Sequence, residues 1–287
     1  MRKIGKTPIE IFCHDYTSTS EVAKTALKQQ YCKYIKATCV KPRKSEPQIK
    51  VGICSLGATV NKGNEVRPVI ICPQRFKEDV MFETIRQKYL SHWTNVKWVQ
   101  EVNIGVGGNV DYVAVELDRN NKVKDFLCVE LQAAGTTGTP YPAVQDFIKY
   151  GKFGHSKFTY GINWANEFSK TMMQQAYKKG KIVESWKRKI VFVVQDMAME
   201  YLKAASDCSK LGAFDPSMPV DFCTFKLTWD AYINEWKLEY DKRESTTIDG
   251  INTILGGAAV EDYLSEDEFK ENILRKGIAD GIIEELV

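Results

Sequence analysis

Two apolar, β-branched runs joined by a short polar segment constrain this chain more than any other stretch. The runs are Val110–Leu117 and Phe126–Leu131, and the segment between them has Asn120 and Asn121 at its middle. Asn tolerates positive φ well, so the pattern predicts a β-hairpin with a tight two-residue turn at these two positions. With that turn, residues whose numbers sum to 241 face each other across the hairpin.

This register places two carboxylates at the same end of an otherwise apolar hairpin. Asp111 faces Glu130, and Gln132 points to the same side two residues later. Directly paired residues have Cβ atoms roughly 4.5–5.5 Å apart, so the two charges repel unless a cation lies between them. Mg²⁺ suits hard carboxylate oxygens and lowers the pKa of a bound water. From spacing alone, two solvated strand ends remain the alternative to a Mg²⁺ site. Glu101 is a candidate third ligand or an ordinary surface acid.

The charge is segregated along the chain, although the net charge is only +3. Residues 1–100 and 147–190 are strongly basic, residues 101–146 around the hairpin are acidic, and residues 191–287 are more acidic still. An acidic centre between two basic segments suits a polyanion held over a metal site, which favours a nucleic acid as partner. Charge runs that are merely solvated faces are the alternative.

Half of the eight cysteines lie in a loop-rich N-terminal segment with many Gly and Pro residues. These four are Cys32, Cys39, Cys54 and Cys72. A segment of this kind has little core of its own, and four thiolates on one tetrahedral zinc or iron ion would supply cross-links. No pair has CxxC spacing, so unrelated buried thiols remain the alternative. The other cysteines, Cys13, Cys128, Cys208 and Cys223, are predicted to be core or incidental positions.

Several classes of protein are excluded or disfavoured by the sequence. No apolar run of about 18 residues occurs, which argues against a transmembrane helix. The N-terminus lacks the apolar region of a signal peptide, so we expect a cytoplasmic protein with reduced cysteines and no membrane partner. The three histidines form no HExxH pair, and there is no GxSxG or Walker-type loop. These absences disfavour a histidine-based zinc hydrolase, a serine hydrolase and a P-loop enzyme.

Hydrophobic periodicity gives a coarse map of the remaining elements. A helix capped by Ser20, with Val22, Ala26 and Leu27 on its buried side, is predicted to run to about residue 30. Further helices are predicted over 75–93, 143–152, 166–184 and 196–205, and strands over 98–102, 189–195 and parts of 222–240. A last helix is expected to open at Ser265.

Candidate DNA contacts come from two loops. The basic run 41–44 contributes Arg43 and Lys44, which could bind phosphates or simply be solvated. The Gly-, Thr- and Pro-rich segment after Gln132 is well placed to lie against a substrate. It offers the hydroxyl groups of Thr136, Thr137 and Tyr141.

Three stretches together resemble the NotI-like type II restriction endonucleases, which belong to the PD-(D/E)XK nuclease superfamily. They are the cysteine region from Cys32 onward, the hairpin with its continuation to residue 142, and residues 160–196. NotI-like enzymes have Gln where most of the superfamily has Lys, and the motif here reads Asp111, then Glu130-Leu131-Gln132. The residue before Asp111 is Val110 and not the superfamily's Pro, a departure that many members share.

The resemblance implies an α/β fold with a restriction-endonuclease-like core, a mixed central β-sheet flanked by helices, and an N-terminal metal-binding subdomain built on four cysteines. The implied division is a cysteine region at 1–75, a nuclease core at 76–205, and an acidic extension packed on the core at 206–287. The implied activity is Mg²⁺-dependent, sequence-specific double-strand cleavage of palindromic DNA by a homodimer.

The resemblance also assigns roles to individual residues. Asp111 and Glu130, with Glu101 less firmly, would bind Mg²⁺, and Gln132 would stand where a Lys usually orients the attacking water. The four cysteines at 32, 39, 54 and 72 would hold a structural ion, iron or zinc. Two other functions stay open at this point: a non-catalytic DNA-binding module organised by the four-cysteine site, and a structure-selective DNA repair or junction nuclease on the same fold.

Overall fold

The computed structural model describes residues 2–43, 46–60, 65–157 and 159–256. Its strands, in chain order, are β1 (Pro8–Ile11), β2 (His14–Asp15), β3 (Tyr31–Cys32), β4 (Ala37–Thr38), β5 (Pro42–Arg43), β6 (Glu46–Lys50), β7 (Ile53–Thr59), β8 (Val66–Ile70), β9 (Val96–Asn103), β10 (Asn109–Leu117), β11 (Val123–Gln132), β12 (Thr136–Gly138), β13 (Tyr160–Ile162), β14 (Ile190–Gln195), β15 (Gly212–Ala213), β16 (Val220–Asp230) and β17 (Glu235–Thr246). The α-helices are α1 (Glu21–Gln29), α2 (Asp79–Tyr89), α3 (Tyr141–Tyr150), α4 (Met173–Ser185), α5 (Asp196–Ala205) and α6 (Ile248–Gly256). Two 3₁₀ turns (Pro73–Phe76 and Gly105–Gly107) and a π-helical stretch (Ala165–Met172) that leads into α4 complete the described elements.

The main sheet is mixed, in the order β15-β17-β16-β14-β11-β10-β9. The central strand β14 pairs in parallel with both β11 and β16, and the other neighbours are antiparallel. All six residues of β14 are buried, as expected for a parallel strand covered on both faces. The predicted α/β class, with a mixed sheet flanked by helices, is therefore confirmed. Three strands of this sheet lie within 206–287, and the predicted division into 1–75, 76–205 and 206–287 stays a prediction.

Helices cover both faces of the sheet. On one face, α4 packs Ala176 and Val183 into a core with Val113 and Cys128 of the hairpin. On the other face, α2 packs against the residues that alternate with these, such as Val129. Because side chains alternate along a strand, Glu130 points to the same face as Cys128, beneath α4.

A smaller sheet, in the order β2-β1-β7-β8, sits at the end of the main sheet where β11 and β14 finish. Gln195 at the end of β14 accepts the Ile70 N–H through Oε1 (2.8 Å) and donates through Nε2 to the Pro68 carbonyl (2.6 Å). Just beyond β11, the Ala134 N–H donates to the Ile70 carbonyl (3.0 Å). The small sheet is therefore attached directly to the strand that carries Glu130.

A buried arginine joins the small sheet to β17. Arg75 is fully buried, and its Nε lies 2.9 Å from the Glu10 carboxylate of β1. Its Nη1 donates to Glu78 (2.7 Å), and its Nη2 donates to the Trp236 carbonyl of β17 (2.9 Å). One guanidinium thus connects three separate parts of the chain, which makes it central to the packing of the N-terminal region.

Most predicted elements are confirmed, with informative exceptions. Ser20 caps α1, accepting the Ala23 N–H at 3.1 Å, and α5 begins and ends as predicted. Val22, predicted to be buried, is 68% exposed because α1 lies at the surface and buries only Ala26. None of the described helices is long and apolar enough to cross a membrane.

Two helix starts differ from the prediction. The helix predicted over 75–93 is shorter because Glu78 is extended (ψ 148°), which separates the 3₁₀ turn from α2. The helix predicted over 166–184 begins earlier, since helical backbone already starts at Trp164 and continues through the π-helical stretch. The helix predicted to open at Ser265 lies outside the described residues.

Candidate functional site

The hairpin of β10 and β11 has the predicted register but a different turn. Along most of the ladder, paired residues sum to 241, as predicted. Near the turn the register slips by one, so that Leu117 pairs with Val123. The chain then turns through a wider loop closed by Asp118, with Asn121 in the left-handed region (φ 58°). The prediction of a two-residue turn was wrong. The predicted register is nevertheless observed along most of the hairpin, because its apolar faces fix the register.

Asp111 and Glu130 lie where the ladder between β10 and β11 ends. There, their carboxylates interact with backbone N–H groups of the opposite strand. Asp111 Oδ2 accepts the Leu131 N–H at 2.7 Å. The backbone N–H of Asp111 in turn interacts with the Glu130 carboxylate. These contacts hold the two carboxylates side by side on the face covered by α4, as the sequence predicted.

A third charged side chain reaches this pair from α4, and the sequence analysis missed it. Lys179 Nζ donates to Glu130 Oε1 (2.5 Å) and to the Asn109 carbonyl (2.6 Å), and the residue is only 4% exposed. Ala176 and Val183, three residues before and four after, are buried on the same face of α4. A lysine that interrupts an apolar helical stripe is the signal that could have identified it.

The charge of this group of three residues is unbalanced. Burial, and secondarily the charge of Asp111, raises the pKa of Glu130 to about 7, although the hydrogen bond and charge of Lys179 act in the opposite direction. Among the described residues, Lys179 is the one cation that pairs with Glu130, and none pairs with Asp111. A carboxylate pair with this residual negative charge is the environment in which a bound cation is most favourable.

Gln132 and Glu101 lie at the edges of this site. Gln132 is half-buried at the end of β11, and its amide Nε2 donates to the Ala133 carbonyl (3.2 Å). Glu101 occupies the position of β9 opposite Asp111, but it is exposed and has a left-handed φ of 53°. In the described ranges, no three or more acidic, Cys or His side chains converge to hold a metal ion. Glu101 therefore does not join Asp111 and Glu130 as a third ligand in this arrangement.

Five cysteines, one more than predicted, line a single small cavity of about 10 Å³ beside the small sheet. They are the four predicted residues together with Cys13. Cys13 Sγ lies 3.5 Å from Cys32 Sγ and 3.8 Å from Cys54 Sγ. Cys13 was predicted to be a core or incidental position; it is buried (2% exposed), but its place in this cluster was not predicted. Two successive left-handed residues, Phe12 (φ 45°) and Cys13 (φ 71°), turn the chain so that the thiol faces the others.

Two sulfur–sulfur distances in the cysteine cluster are close to those around a tetrahedral metal ion. Sulfur atoms bound about 2.3 Å from one such ion lie about 3.8 Å apart, close to the two observed spacings. The Cys13 thiol donates to Cys32, which lowers the pKa of Cys32 to about 6 and raises that of Cys13. A thiolate is the form that metals bind. No set of three or more cysteines is arranged to hold a metal ion in the described residues, but the chemistry of the thiols and the spacing of Cys13 from Cys32 and from Cys54 suit zinc or iron.

The residues predicted to contact DNA differ in their partners and in their burial. Arg43 forms an ion pair with Glu46 and lies over the ring of Tyr141 (5.0 Å from its centroid), so these two candidates are brought together. Tyr141 is buried, and its ring supports Arg43. Thr136 and Thr137 lie in β12, a ribbon strand paired with β13 shortly after the hairpin. Lys44 lies outside the described residues.

Comparison with known protein families gives a match over most of the chain. The family model described as restriction endonuclease NotI matches residues 19–210. That range includes the hairpin, Lys179 and the four cysteines predicted as ligands, but it begins after Cys13. None of the curated proteins compared with the chain matches it.

Proposed function

The chain belongs to the NotI restriction endonuclease family of site-specific deoxyribonucleases, and from this premise we propose that Asp111 and Glu130 form the centre of a Mg²⁺-dependent DNA-cleaving site. The observation that carries the proposal is that each carboxylate interacts with the backbone of the opposite strand at the end of the β10–β11 ladder, close enough for the charge of Asp111 to raise the pKa of Glu130. This hairpin, continued in parallel by β14, would be the core of a PD-(D/E)XK nuclease.

The donor set suits Mg²⁺, which commonly takes one or two protein carboxylates and completes its shell with waters and substrate phosphate. When bound, the ion would supply charge for the developing phosphorane oxygens and a water of lowered pKa. Asp111 and Glu130 would hold it at the scissile phosphodiester. Gln132, an amide, cannot take a proton at neutral pH, so its part would be to orient a water by hydrogen bonding.

The cysteine cavity would hold a structural zinc or iron ion. Four of its five cysteines would be the ligands, and the spacing around Cys13 supports its inclusion. Such an ion would cross-link the loops around β3 to β6 and so stabilise an N-terminal subdomain that carries Arg43. Its expected role is structural, because the cavity has room for about one atom and most of its lining residues are buried.

The proposed substrate is double-stranded palindromic DNA, cut by a homodimer with one site for each strand. The basic segments on both sides of the hairpin in the sequence support a polyanionic substrate. Sedimentation of the protein with and without a DNA duplex would test the dimer. The cytoplasmic location stays a prediction.

The decisive test is digestion of a plasmid in Mg²⁺. Discrete bands are expected, whereas nicking only at junctions would indicate a structure-selective nuclease, and binding without cutting would indicate a non-catalytic module. Asp111→Asn should lower the cleavage rate by at least about a thousandfold while retaining DNA binding in EDTA. The matched control is Glu239→Gln, which removes a carboxylate from an exposed position of β17 in the same sheet and should cut normally. Normal cutting by the Asp111 variant would refute the site.

A further inference from the structure

We propose that Lys179 is a positioning residue of this site, which holds Glu130 in place from helix α4 and leaves the Asp111 side of the carboxylate pair open to a cation. The inference rests on the proposed function, because it assigns a role within the same site. It rests on contacts that tie three elements together at one buried ammonium group.

The ammonium of Lys179 bridges the two strands at the point where their ladder ends. It reaches β11 through Glu130 Oε1 (2.5 Å) and β10 through the Asn109 carbonyl (2.6 Å), two residues before Asp111. A shift of either strand would break one of these hydrogen bonds. Lys179 therefore fixes the two carboxylates relative to each other before any substrate or metal is present.

The aliphatic part of the Lys179 side chain is also closely packed. The 3₁₀ turn between β9 and β10 packs on α4, and a Cβ added to Gly107 would lie 2.8 Å from Ile104 Cγ2, 3.1 Å from Lys179 Cγ and 3.3 Å from Ile182 Cδ1. The turn therefore packs directly against the aliphatic part of Lys179, and a larger residue at 107 would press on it. From helix α4, Lys179 therefore contacts both the 3₁₀ turn and the two strands of the hairpin.

The charges explain why a lysine is used and why a cation can still bind. Gln132 is neutral, so within the motif Glu130-Leu131-Gln132 no positive charge is available, and α4 supplies it. Lys179 pairs with Glu130 only, and no ion pair joins it to Asp111 in the described part of the chain. One negative charge therefore remains uncompensated on the side away from the lysine, where a divalent cation would enter.

The main test replaces Lys179 by Met, which keeps the length of the side chain and removes its charge, and uses Lys178→Met as the control on an exposed neighbouring position. Calorimetric titration of the DNA-free proteins with Mn²⁺ measures the metal site independently of cleavage. Lys179→Met should bind Mn²⁺ about tenfold more tightly, because a like charge has been removed from its vicinity. Its kcat should nevertheless fall about a hundredfold with an unchanged KM for DNA, because Glu130 is no longer held in place.

A second variant covers the case in which Lys179→Met fails to fold. Gly107→Ala keeps every charge but pushes on the lysine stem as well as on Ile104 of the turn, so it should lower kcat with little change in Mn²⁺ affinity. A folded Lys179→Met with wild-type kcat and Mn²⁺ affinity, or Gly107→Ala with wild-type kcat, would overturn the proposal. Failure of the proposed function is distinguishable, because the wild-type protein itself would then cut no DNA.

Discussion

The ionisation of Glu130 should make the stability of the metal-free protein depend on pH. Burial and the neighbouring Asp111 raise the pKa of Glu130 from 4.5 to about 7 in the folded protein. The folded protein therefore binds this proton more tightly than the unfolded chain does. It follows that the free energy of unfolding is highest below about pH 4.5 and falls as the pH rises towards and through about 7. At roughly 1.4 kcal/mol per pH unit, the loss amounts to about 3 kcal/mol.

Urea denaturation in EDTA at pH 5 and pH 8.5 measures most of this loss, and Glu130→Gln is the comparison. Burial also raises the pKa values of Glu10, Asp196 and Asp221, which contribute to the pH dependence of both proteins. The difference between the two pH dependences therefore isolates Glu130. Absolute stabilities are not compared, because the substitution also leaves Lys179 without its carboxylate partner.

The wild-type protein should lose about 2.5 kcal/mol more than Glu130→Gln over this range, because at pH 5 the unfolded chain is already mostly ionised. Equal pH dependences in the two proteins would refute the placement of Glu130 in a buried site beside a second carboxylate. A saturating concentration of Mg²⁺ should restore much of the wild-type loss at pH 8.5, since a bound cation favours the ionised carboxylate.

Three further predictions address the surrounding structure. Arg75→Met should destabilise the protein by about 3–5 kcal/mol in urea denaturation, because it leaves the buried Glu10 carboxylate without its ion-pair partner; a change below about 1 kcal/mol would contradict the buried ion pair. Cys13→Ser should lower the bound zinc or iron measured by atomic absorption, whereas Cys208→Ser, outside the cluster, should retain it; equal metal contents would exclude Cys13 as a ligand. Glu101→Gln should cleave DNA within about threefold of the wild-type rate because a surface substitution is nearly neutral, and a hundredfold loss would make it a ligand after all.

The sequence contained enough information to place the carboxylate pair, because alternation along two apolar strands fixes which residues face each other. It could not give the turn, since the one-residue slip at Leu117 depends on local hydrogen bonds around Asp118. The buried strand β14 and helix α5 were predictable because a short apolar run followed by a helical pattern has few other interpretations. The partners of these elements in the sheet were not predicted.

The sequence did not predict the place of Cys13 in the cysteine cavity or the pairing of Lys179 with Glu130. Both depend on contacts between residues that are distant along the chain. Cys13 joins the cysteine cavity through left-handed backbone at Phe12 and Cys13, a conformation that neither residue type favours and that no pattern indicates. Lys179 lies 49 residues after Glu130, in a helix that reads as an ordinary basic surface helix. Its place in an apolar stripe was visible, but its partner could be identified only from the packing of α4 on the hairpin.

The hydrogen bond from Ala134 to Ile70 connects the chain next to the cysteine cavity with the chain next to the carboxylate pair. Ile70 stands two residues before Cys72, and Ala134 stands two residues after Gln132, so one backbone contact separates the ends of the two sites. Loss of the ion proposed for the cavity would then disturb the backbone just beyond Gln132, next to the proposed cleavage site. A chelator that removes this ion should lower DNA cutting even when magnesium is resupplied in excess.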